Sequence, residues 1–422
     1  MKITDIQALC LSRPHEPDLE WFSSQFRVYK ADCPVVIVET DEGISGISEP
    51  STYGDPPKIR ERIEQMKRNL VGRDPLEPNL VTLATGDPQA DIANAGIELA
   101  LWDIRGKEAG KPVADLLVPQ LTPDEPDRPT RKRIRLYASA GVQYDWDDRP
   151  ESVIDEAVGL ADRGFTAYKM RIGTHWAWSG VTVERFLGLL RTMTDAVGDR
   201  MELKLEGNAR FQEEEALQVG HVLDELGWDW FEEPLDKSNV EGYARLNEAL
   251  DLPITGGESN SRLADFEPFF EAGAYSIAQL DVGVCGMAEA LRIARRAAEC
   301  GIRLIPQNWH NGLLTVSNAH LIAALPHEAV LELFVGQGPL QWVILEDAPE
   351  RREGHLAMPD GSGWGVSLAE NLEEKFPWIE GPWGERVDPP SPPPSSRLRR
   401  VRRLRRGRRL AGVVQAGKEN GV

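Results

Sequence analysis

Three short runs decide the fold of this chain: LKLEGN at residues 203–208, WFEEPL at 230–235 and ITGGES at 254–259. Each carries a glutamate near its end, and these glutamates are Glu206, Glu232 and Glu258. Their constant spacing of 26 residues is about the length of one strand–helix unit in a barrel of roughly 250 residues. Acids at the same point of three successive units would meet at one rim. Because hard divalent cations accept carboxylate oxygens as ligands, the pattern predicts a Mg²⁺ site.

The sequence on both sides of these runs alternates β-rich and helical segments. Helical patterns at 151–164 and 213–227 end in Gly, a common helix C-cap. Regular alternation predicts a parallel (β/α) barrel, whose active site would lie at the carboxyl ends of the strands. The eight candidate strands are IRLYASAG, AYKMRIG, MELKLEGN, DWFEEPL, LPITGGES, SIAQLDVG, IRLIPQNW and AVLELF.

The N-terminal region predicts a smaller α+β unit. MKITDIQALCLS and CPVVIVETDEGISGISEP predict strands, whereas the polar and aromatic residues 15–30 between them predict a loop. Helices are predicted at 57–69 and in DIANAGIELALWDIRGKEAGKPV, which Gly110 and Pro112 close. We therefore expect four segments: an α+β unit at 1–125, the barrel at 126–334, a segment packed on the N-terminal unit at 335–386, and a disordered tail at 387–422.

The composition disfavours several classes of protein. Of 422 residues, 41% are hydrophobic and 27% are charged, as in a soluble globular protein, and the net charge of −20 disfavours nucleic acid and anionic membranes as partners. No apolar run approaches the ~20 residues of a membrane helix. Asp5 and Gln7 interrupt the apolar N terminus, which makes it a poor signal peptide. The four scattered cysteines indicate reduced thiols in a cytoplasmic protein.

The C-terminal tail differs from the rest of the chain. A Pro/Ser-rich linker precedes nine arginines between Arg397 and Arg409, a low-complexity pattern that predicts disorder. Such a basic run can bind nucleic acid or a membrane surface, or contact the acidic body of the protein. We do not expect a specific role in nucleic-acid binding.

Polar side chains stand at the ends of the other candidate strands as well. Lys169 and Arg171 end the second strand and lie on one face, because strand residues alternate with period two. Asp281 ends the sixth strand, His310 follows the seventh, and Glu332 lies in the eighth. Any one of these could be a solvated residue or a helix cap. As a set at one rim, they predict an active site.

The residue types indicate the chemistry. Three acids leave a Mg²⁺ ion with open positions for a substrate carboxylate or for water. A carboxylate bound in this way loses its α-proton more easily, because the ion and nearby cations stabilise the enediolate that forms. Lys169 and Arg171 could supply that further positive charge. Asp281 and His310 form a candidate dyad, in which the acid orients the imidazole ring and raises its basicity.

Seven motifs, in order, resemble those of the enolase superfamily in its mandelate racemase-like branch. They are ALWDIRGKEAGKPV, YKMRIG, LEGNARF, FEEPL, GGES, QLDVGVCGM and PQNWH, and the resemblance covers about residues 1–386. It implies a capping domain built from both ends of the chain, a modified TIM barrel of the (β/α)₇β type, and Mg²⁺-assisted abstraction of a proton α to a carboxylate. The implied site residues are the metal ligands Glu206, Glu232 and Glu258, the base dyad His310 and Asp281, Glu332 for a substrate carboxylate oxygen, and the Lys-x-Lys pair at Lys169 and Arg171.

Two positions depart from the family pattern. The first metal ligand is usually Asp, whereas Glu206 stands here, so the site must absorb one extra methylene although Mg²⁺ demands near-octahedral geometry. The second member of the lysine pair, which commonly acts as a base, is Arg171. Arginine stays protonated in proteins and cannot readily accept the proton.

The arginine bears on the type of reaction. Racemisation needs a base on each face of the substrate, whereas β-elimination needs one group that takes the α-proton and then protonates the departing β-hydroxyl. With His310 in that role, the product is an enol that tautomerises to a 2-keto-3-deoxy acid, which predicts a dehydratase of an aldonate or aldarate. Lys169 could instead be the base. Racemisation, epimerisation or cycloisomerisation through the same enolate is the alternative, and a non-catalytic protein with a partner-recruiting tail is a third hypothesis.

The substrate's identity is expected to depend on loops outside the barrel. The resemblance points to N-terminal loops around residues 20–22 and 53–55, and Trp176 and Trp178 follow the second strand. Aromatic faces suit the C–H faces of a sugar, although such residues can also simply pack the N-terminal unit on the barrel. We expect a small-molecule carboxylate as partner and a homo-oligomeric protein. The candidate substrate contacts are Asn208, Arg210, Trp21, Tyr53 and Trp309.

Overall fold

The computed structural model describes residues 1–22, 26–144, 146, 149–172 and 180–386. Its first elements are five strands followed by three helices. They are β1 (Ile3–Pro14), β2 (Trp21–Phe22), β3 (Phe26–Val28), β4 (Lys30–Thr40), β5 (Gly46–Ser48), α1 (Pro56–Leu70), α2 (Pro88–Ala109) and α3 (Val113–Leu121).

The strands and helices predicted in the N-terminal unit are confirmed. β1 pairs antiparallel with β4, β5 extends the sheet, and α1 and α2 pack on it through a buried aliphatic cluster. The α2 helix begins at Asp87, whose carboxylate accepts hydrogen bonds from the backbone N–H groups of Gln89 and Ala90. It ends at Gly110, whose φ of 62° lies in the left-handed region that glycine adopts without strain.

Each of the eight predicted barrel runs forms a strand. These strands are β6 (Arg133–Ser139), β7 (Ala167–Arg171), β8 (Glu202–Glu206), β9 (Trp230–Glu232), β10 (Ile254–Gly256), β11 (Ile277–Ala278), β12 (Arg303–Leu304) and β13 (Leu331–Phe334). They pair in parallel in the order β13-β6-β7-β8-β9-β10-β11-β12. Parallel pairing places all carboxyl ends at one edge, where the polar residues were predicted to meet.

Helices occur in all seven connections between these strands, which gives the (β/α)₇β arrangement. The helices are α4 (Ser152–Asp162), α5 (Val183–Val197), α6 (Glu213–Leu226), α7 (Val240–Ala249), α8 (Leu263–Glu271), α9 (Val282–Cys285), α10 (Met287–Glu299) and α11 (Gly312–Ala324), and both α9 and α10 lie between β11 and β12. Every residue of α11 is buried. A helix that is buried on all sides has protein on all sides.

The chain after the barrel first pairs antiparallel with barrel strand β6 and then returns to the N-terminal unit. Its elements are β14 (Arg351–Arg352), β15 (His355–Ala357), α12 (Leu372–Lys375) and β16 (Gly384–Arg386). β16 pairs antiparallel with β3, which in turn pairs with β2. The prediction of a loop across residues 15–30 is therefore wrong, because these two short strands are held by a partner more than 350 residues away in the sequence.

Two buried glutamates of the N-terminal unit cap helices of the barrel. Glu98 in α2 accepts hydrogen bonds from the backbone N–H groups of Met287 and Ala288 at the start of α10, at 2.8 and 3.2 Å. Glu49, directly after β5, accepts from the N–H of Leu314 in the first turn of α11, at 3.0 Å. Because a carboxylate is stabilised at the positive end of a helix, these contacts fix the N-terminal unit over the carboxyl ends of the strands.

The cysteines and the helices also bear on the sequence predictions. Cys10, Cys33, Cys285 and Cys300 are all free thiols. In the described part of the chain, no helix is both long and apolar enough to cross a membrane.

Candidate active site

Lys169 lies at the centre of a buried group of carboxylates. The strand register places Arg171 beside Glu206, and Glu206 beside Glu232. Lys169 Nζ lies 3.6 Å from Glu206 Oε2 and 2.9 Å from Glu332 Oε1, and it donates a hydrogen bond to Glu232. All of these side chains are buried. The structure therefore brings acids from β8, β9 and β13 together around one ammonium group.

Charge balance in this group depends on close pairing. Burial alone would lower the pKa of Lys169, but the three surrounding carboxylates raise it above its ordinary value, so the ammonium stays protonated. Burial and the nearby Glu232 carboxylate raise the pKa of Glu206 well above its usual range. In this arrangement Lys169 supplies positive charge to the three carboxylates.

Glu258, the third predicted metal ligand, follows β10 at the same edge. Its Oε1 lies 2.8 Å from Lys237 Nζ, which also lies 2.9 Å from Glu233 Oε2. As the side chains are placed, no three His, Cys, Asp or Glu residues among the described ranges converge to hold a metal ion. Glu258 forms an ion pair with a lysine that the sequence reasoning did not consider.

The donor chemistry of this edge nevertheless fits a hard divalent cation. Glu206, Glu232 and Glu258 end or follow three adjoining strands and offer only oxygen donors. Gly207 permits the close approach of the first two strand ends: its N–H donates to Glu232 O at 2.7 Å, and a Cβ there would lie 2.8 Å from Glu233 O. Lys169 compensates acids that would otherwise repel one another.

The predicted dyad is present beside this group. His310 Nε2 lies 2.9 Å from Asp281 Oδ2, and both side chains are buried. Asp281 is also the N-cap of α9, since its Oδ1 accepts a hydrogen bond from Gly283 N at 2.8 Å. Burial would lower the pKa of His310, but the charge and hydrogen bond of Asp281, followed by the charge of Glu49, raise it above its ordinary value. The acid thus fixes the ring and increases its basicity.

Glu49 holds the backbone that carries His310. Its Oε1 accepts hydrogen bonds from Asn311 N and Asn311 Nδ2, each at 3.0 Å, and its Oε2 accepts from Leu314 N. The loop that follows β5 also brings Thr52 Oγ1 to 3.3 Å from His310 Nδ1. The N-terminal unit therefore positions the histidine from two directions.

Aromatic side chains surround the remaining predicted residues. The Arg171 guanidinium carbon lies 4.0 Å from the ring centroid of Trp309, whose ring packs against Trp21 at 5.3 Å. The Tyr53 ring meets the His310 ring edge-on, with their centroids 5.7 Å apart. Arg171 thus lies in a cation–π contact, which holds its charge close to the site.

The turn after β8 places two candidate substrate contacts beside the carboxylates. Asn208 N donates to Glu206 Oε1 at 2.7 Å, and Arg210 N donates to Gly207 O at 3.1 Å in the same turn. The Arg210 side chain is partly buried. Trp176 and Trp178 lie outside the described residues, so their stacking on a sugar stays a prediction.

Two residues that contact the carboxylates were missed in the sequence. Gln279 Nε2 donates to Glu232 Oε2 at 2.9 Å. It stands two residues before Asp281, so the period-two rule that paired Lys169 with Arg171 could have found it. Lys237 lies outside any strand and carries no such signal.

Comparison with protein families then identifies the chain. A model described as "Enolase C-terminal domain-like" matches residues 152–372, and one described as "Mandelate racemase / muconate lactonizing enzyme, N-terminal domain" matches residues 22–118. The chain belongs to the mandelate racemase/muconate lactonizing enzyme family of the enolase superfamily. The resemblance drawn from the seven motifs is confirmed, and with it the capped, modified TIM barrel of that superfamily.

Relatives of this family member cover most of its length. D-galactarolactone cycloisomerase of Agrobacterium fabrum is 28% identical over 89% of this chain and 99% of its own. Arabinonate dehydratase of Saccharolobus solfataricus is 28% identical over 80% of this chain and 89% of its own. The crystal structure of an enolase superfamily member from Polaromonas sp. JS666 is 28% identical, covers 90% of this chain and 99% of its own, and superposes with a TM-score of 0.76.

Proposed function

We propose that this enzyme is a Mg²⁺-dependent hydro-lyase that converts a sugar acid into a 2-keto-3-deoxy acid. The observation that carries the proposal is the asymmetry of the site. A buried His310–Asp281 dyad is present, whereas the second candidate base position holds Arg171 stacked on Trp309. At such a site His310 removes the proton. Arg171, which stays protonated, cannot act as a second base from its own position.

In the proposed reaction, His310 transfers the proton and the neighbouring side chains stabilise the charges that develop. His310 takes the proton α to the substrate carboxylate, and Asp281 stabilises the imidazolium that results. The imidazolium then gives its proton to the β-hydroxyl as the C–O bond breaks, so that water leaves and an enol remains. Lys169 and Arg171 stabilise the negative charge on the substrate carboxylate during this step, and Glu332 shares a hydrogen bond with one carboxylate oxygen.

Glu206, Glu232 and Glu258 would hold the Mg²⁺ ion. When bound, the ion supplies further stabilisation of negative charge on the substrate carboxylate. For Glu258 to take part, its carboxylate must exchange Lys237 for the ion. The longer side chain of Glu206, compared with the usual Asp, lies beside Lys169, Glu232 and Asn208 in a fully buried position.

The relatives support dehydration and name the alternative. One is an arabinonate dehydratase and another a D-galactarolactone cycloisomerase, and both activities belong to sugar-acid chemistry. Exchange of the α-proton in D₂O, measured together with keto-acid formation, separates dehydration from racemisation. Exchange accompanied by formation of a keto acid supports dehydration, whereas exchange without loss of water supports racemisation or epimerisation.

The first prediction concerns the metal. Purified protein with Mg²⁺, incubated with a panel of aldonic and aldaric acids, is expected to form a 2-keto-3-deoxy acid from at least one of them. EDTA should lower this rate more than 100-fold, and added Mg²⁺ should restore it, because the carboxylate charge would otherwise be uncompensated. Keto-acid formation is measured with semicarbazide. Turnover that survives EDTA would contradict a metal-dependent reaction.

The second prediction concerns Glu49. Glu49→Gln removes a negative charge close to His310 and one acceptor at the start of α11, so kcat should fall about tenfold or more. The charged groups that face His310 are Asp281, Glu49 and Glu332, and each raises its pKa. With one removed, the pKa falls, and the acid limb of the kcat–pH profile should move to lower pH.

Glu98→Gln is the matched control for this variant. Glu98 is a buried helix-capping glutamate of the same unit, but it caps α10 and not the helix beside His310. It should lower the melting temperature as much as Glu49→Gln does, while the pH profile stays in place. Equal displacement of the profile in both variants, or in neither, would show that Glu49 has only a structural role.

We further propose that the protein acts as a cytoplasmic homo-oligomer made of an N-terminal capping domain at 1–125, a catalytic barrel at 126–334 and a cap-completing segment at 335–386. The pairing of β16 with β3 supports the last assignment. Light scattering of the purified protein measures the oligomeric state. The Arg-rich tail lies outside the described residues, and its expected lack of a nucleic-acid role stays a prediction.

A further inference from the structure

A cleft opens beside His310, lined by residues of both the barrel and the N-terminal unit. The barrel contributes His310 and Trp309 to its lining. The N-terminal unit contributes His15, Lys30 and Asp32. The proposed reaction uses His310, whereas His15, Lys30 and Asp32 have no assigned role.

Part of the cleft wall is aromatic. Trp21, Trp309 and Phe334 form one buried cluster, in which the two tryptophan rings lie 5.3 Å apart and Trp309 lies 4.3 Å from Phe334. Trp383, one residue before β16, completes the wall. Such a surface accepts the C–H faces of a sugar chain and offers no counter-charge to an anion.

The charged residues of the cleft neutralise each other. Lys30 Nζ lies 3.1 Å from Asp32 Oδ1, donates a hydrogen bond to Ile379 O, and lies 4.4 Å from the ring centroid of Trp378. Asp32 Oδ1 also accepts a hydrogen bond from Ser12 Oγ at 2.6 Å. Among the described residues of the lining, Lys30 is the sole lysine or arginine. Its charge is already matched.

His15 brings a buried ring nitrogen without a hydrogen-bond partner to the cleft, as the described residues show. It directly follows β1, is 7% exposed, and its Nδ1 makes no hydrogen bond within the described structure. Burial lowers the pKa of His15 to about 4, so the imidazole is neutral at physiological pH. A buried polar atom without a partner is costly unless a ligand satisfies it.

We propose that His15, together with the Lys30–Asp32 pair, forms a subsite for the uncharged hydroxyl end of the substrate, so that this enzyme prefers aldonates to aldarates. The inference rests on the proposed function, which places the carboxylate end of the substrate beside Lys169. Among the described residues that line the cleft, a second carboxylate would meet no lysine or arginine other than Lys30, whose charge is matched by Asp32. A hydroxyl group can hydrogen-bond to His15 Nδ1 at no such cost.

Binding and turnover test the subsite and the reaction separately. Calorimetry on the His310→Asn variant with Mg²⁺ compares each five- or six-carbon aldonate with the aldarate of the same configuration. In the pair that binds best, the aldonate should bind at least tenfold more tightly than the aldarate. Equal or tighter binding of the aldarate, or no binding of any aldonate, overturns the subsite. Binding of aldonates without turnover by the unmodified enzyme overturns the proposed reaction and leaves the subsite standing.

Variants of His15 test its part directly. His15→Leu should weaken the binding of the preferred aldonate at least tenfold and change the binding of glycerate, which lacks the distal hydroxyls, less than twofold. His15→Asn, which keeps a polar atom near the position of Nδ1, should recover most of the affinity. Equal losses for both acids, or no loss for the aldonate, would overturn the assignment. His355→Leu, at a histidine of β15 outside the cleft, is the control for substitution of a histidine.

Asp32→Asn should increase the affinity of the cleft for aldarates. The substitution leaves the Lys30 ammonium without its carboxylate, so the aldarate of the best pair should bind at least fivefold more tightly than it binds the protein with Asp32. Unchanged aldarate binding in a folded variant would show that Lys30 does not face the substrate, and would overturn its place in the subsite.

Discussion

His310→Asn is expected to lower kcat by about 10⁴-fold and to leave the fold intact. Removal of a general acid–base typically costs 10²–10⁴-fold, and here one imidazole both takes the α-proton and protonates the leaving hydroxyl. The upper end of that range is therefore expected. An asparagine amide keeps a polar group near the position of His310 Nδ1, which lies 3.3 Å from Thr52 Oγ1, and Asp281 keeps its hydrogen bond from Gly283 N. The measurements are keto-acid formation and exchange of the α-proton in D₂O.

His327→Asn is the matched control. His327 Nε2 lies 3.3 Å from Leu304 N and 2.9 Å from Leu304 O, in the strand that leads to His310 but on the side away from the catalytic edge. Its substitution should leave kcat within about twofold. Full activity of His310→Asn would refute the proposed mechanism. Lost turnover with α-proton exchange retained would transfer the role of base to another group, such as Lys169.

The sequence was most informative where function and local pattern coincide. Glu206, Glu232 and His310 each stand at the end of a short β-rich run, and parallel strands bring such ends to one edge. The spacing of the runs therefore predicted the fold and the placement of Glu206 beside Glu232, whereas Glu258 pairs with Lys237 and not with Lys169. Asp281 had two readings in the sequence, as a helix cap and as a partner of His310, and the structure shows that it makes both contacts.

What the sequence did not reveal depends on contacts between distant segments. β2 and β3 were assigned to a loop, because β16, the strand that pairs with β3, lies more than 350 residues later. Glu49 was not singled out in the sequence, yet it is buried against α11, 262 residues away from Asn311. His15 and Lys30 also have surroundings that are made by distant segments of the chain. No local periodicity marks a residue whose environment is made by another unit of the chain.

Glu232→Gln should weaken Mg²⁺ binding at least 100-fold and lower kcat by about 10³-fold or more, because it removes one of three acidic ligands. The fold should survive. Lys169 would keep Glu206 and Glu332 as partners, so no buried charge is left alone. The amide can also still accept hydrogen bonds at its oxygen from Gln279 Nε2 and Trp230 Nε1, which contact Glu232 Oε2 at 2.9 and 3.1 Å.

Mg²⁺ affinity measured by calorimetry separates this prediction from a general loss of stability. Glu202→Gln is the control, because Glu202 begins the strand that Glu206 ends and is an exposed partner of Arg135 at 2.9 Å. Its affinity for Mg²⁺ should be that of the unmodified protein. If Glu232→Gln binds the ion equally well, Glu232 is not a ligand, and Lys169 would be its functional partner. Since the two roles compete for the same carboxylate, the affinity measurement decides between them.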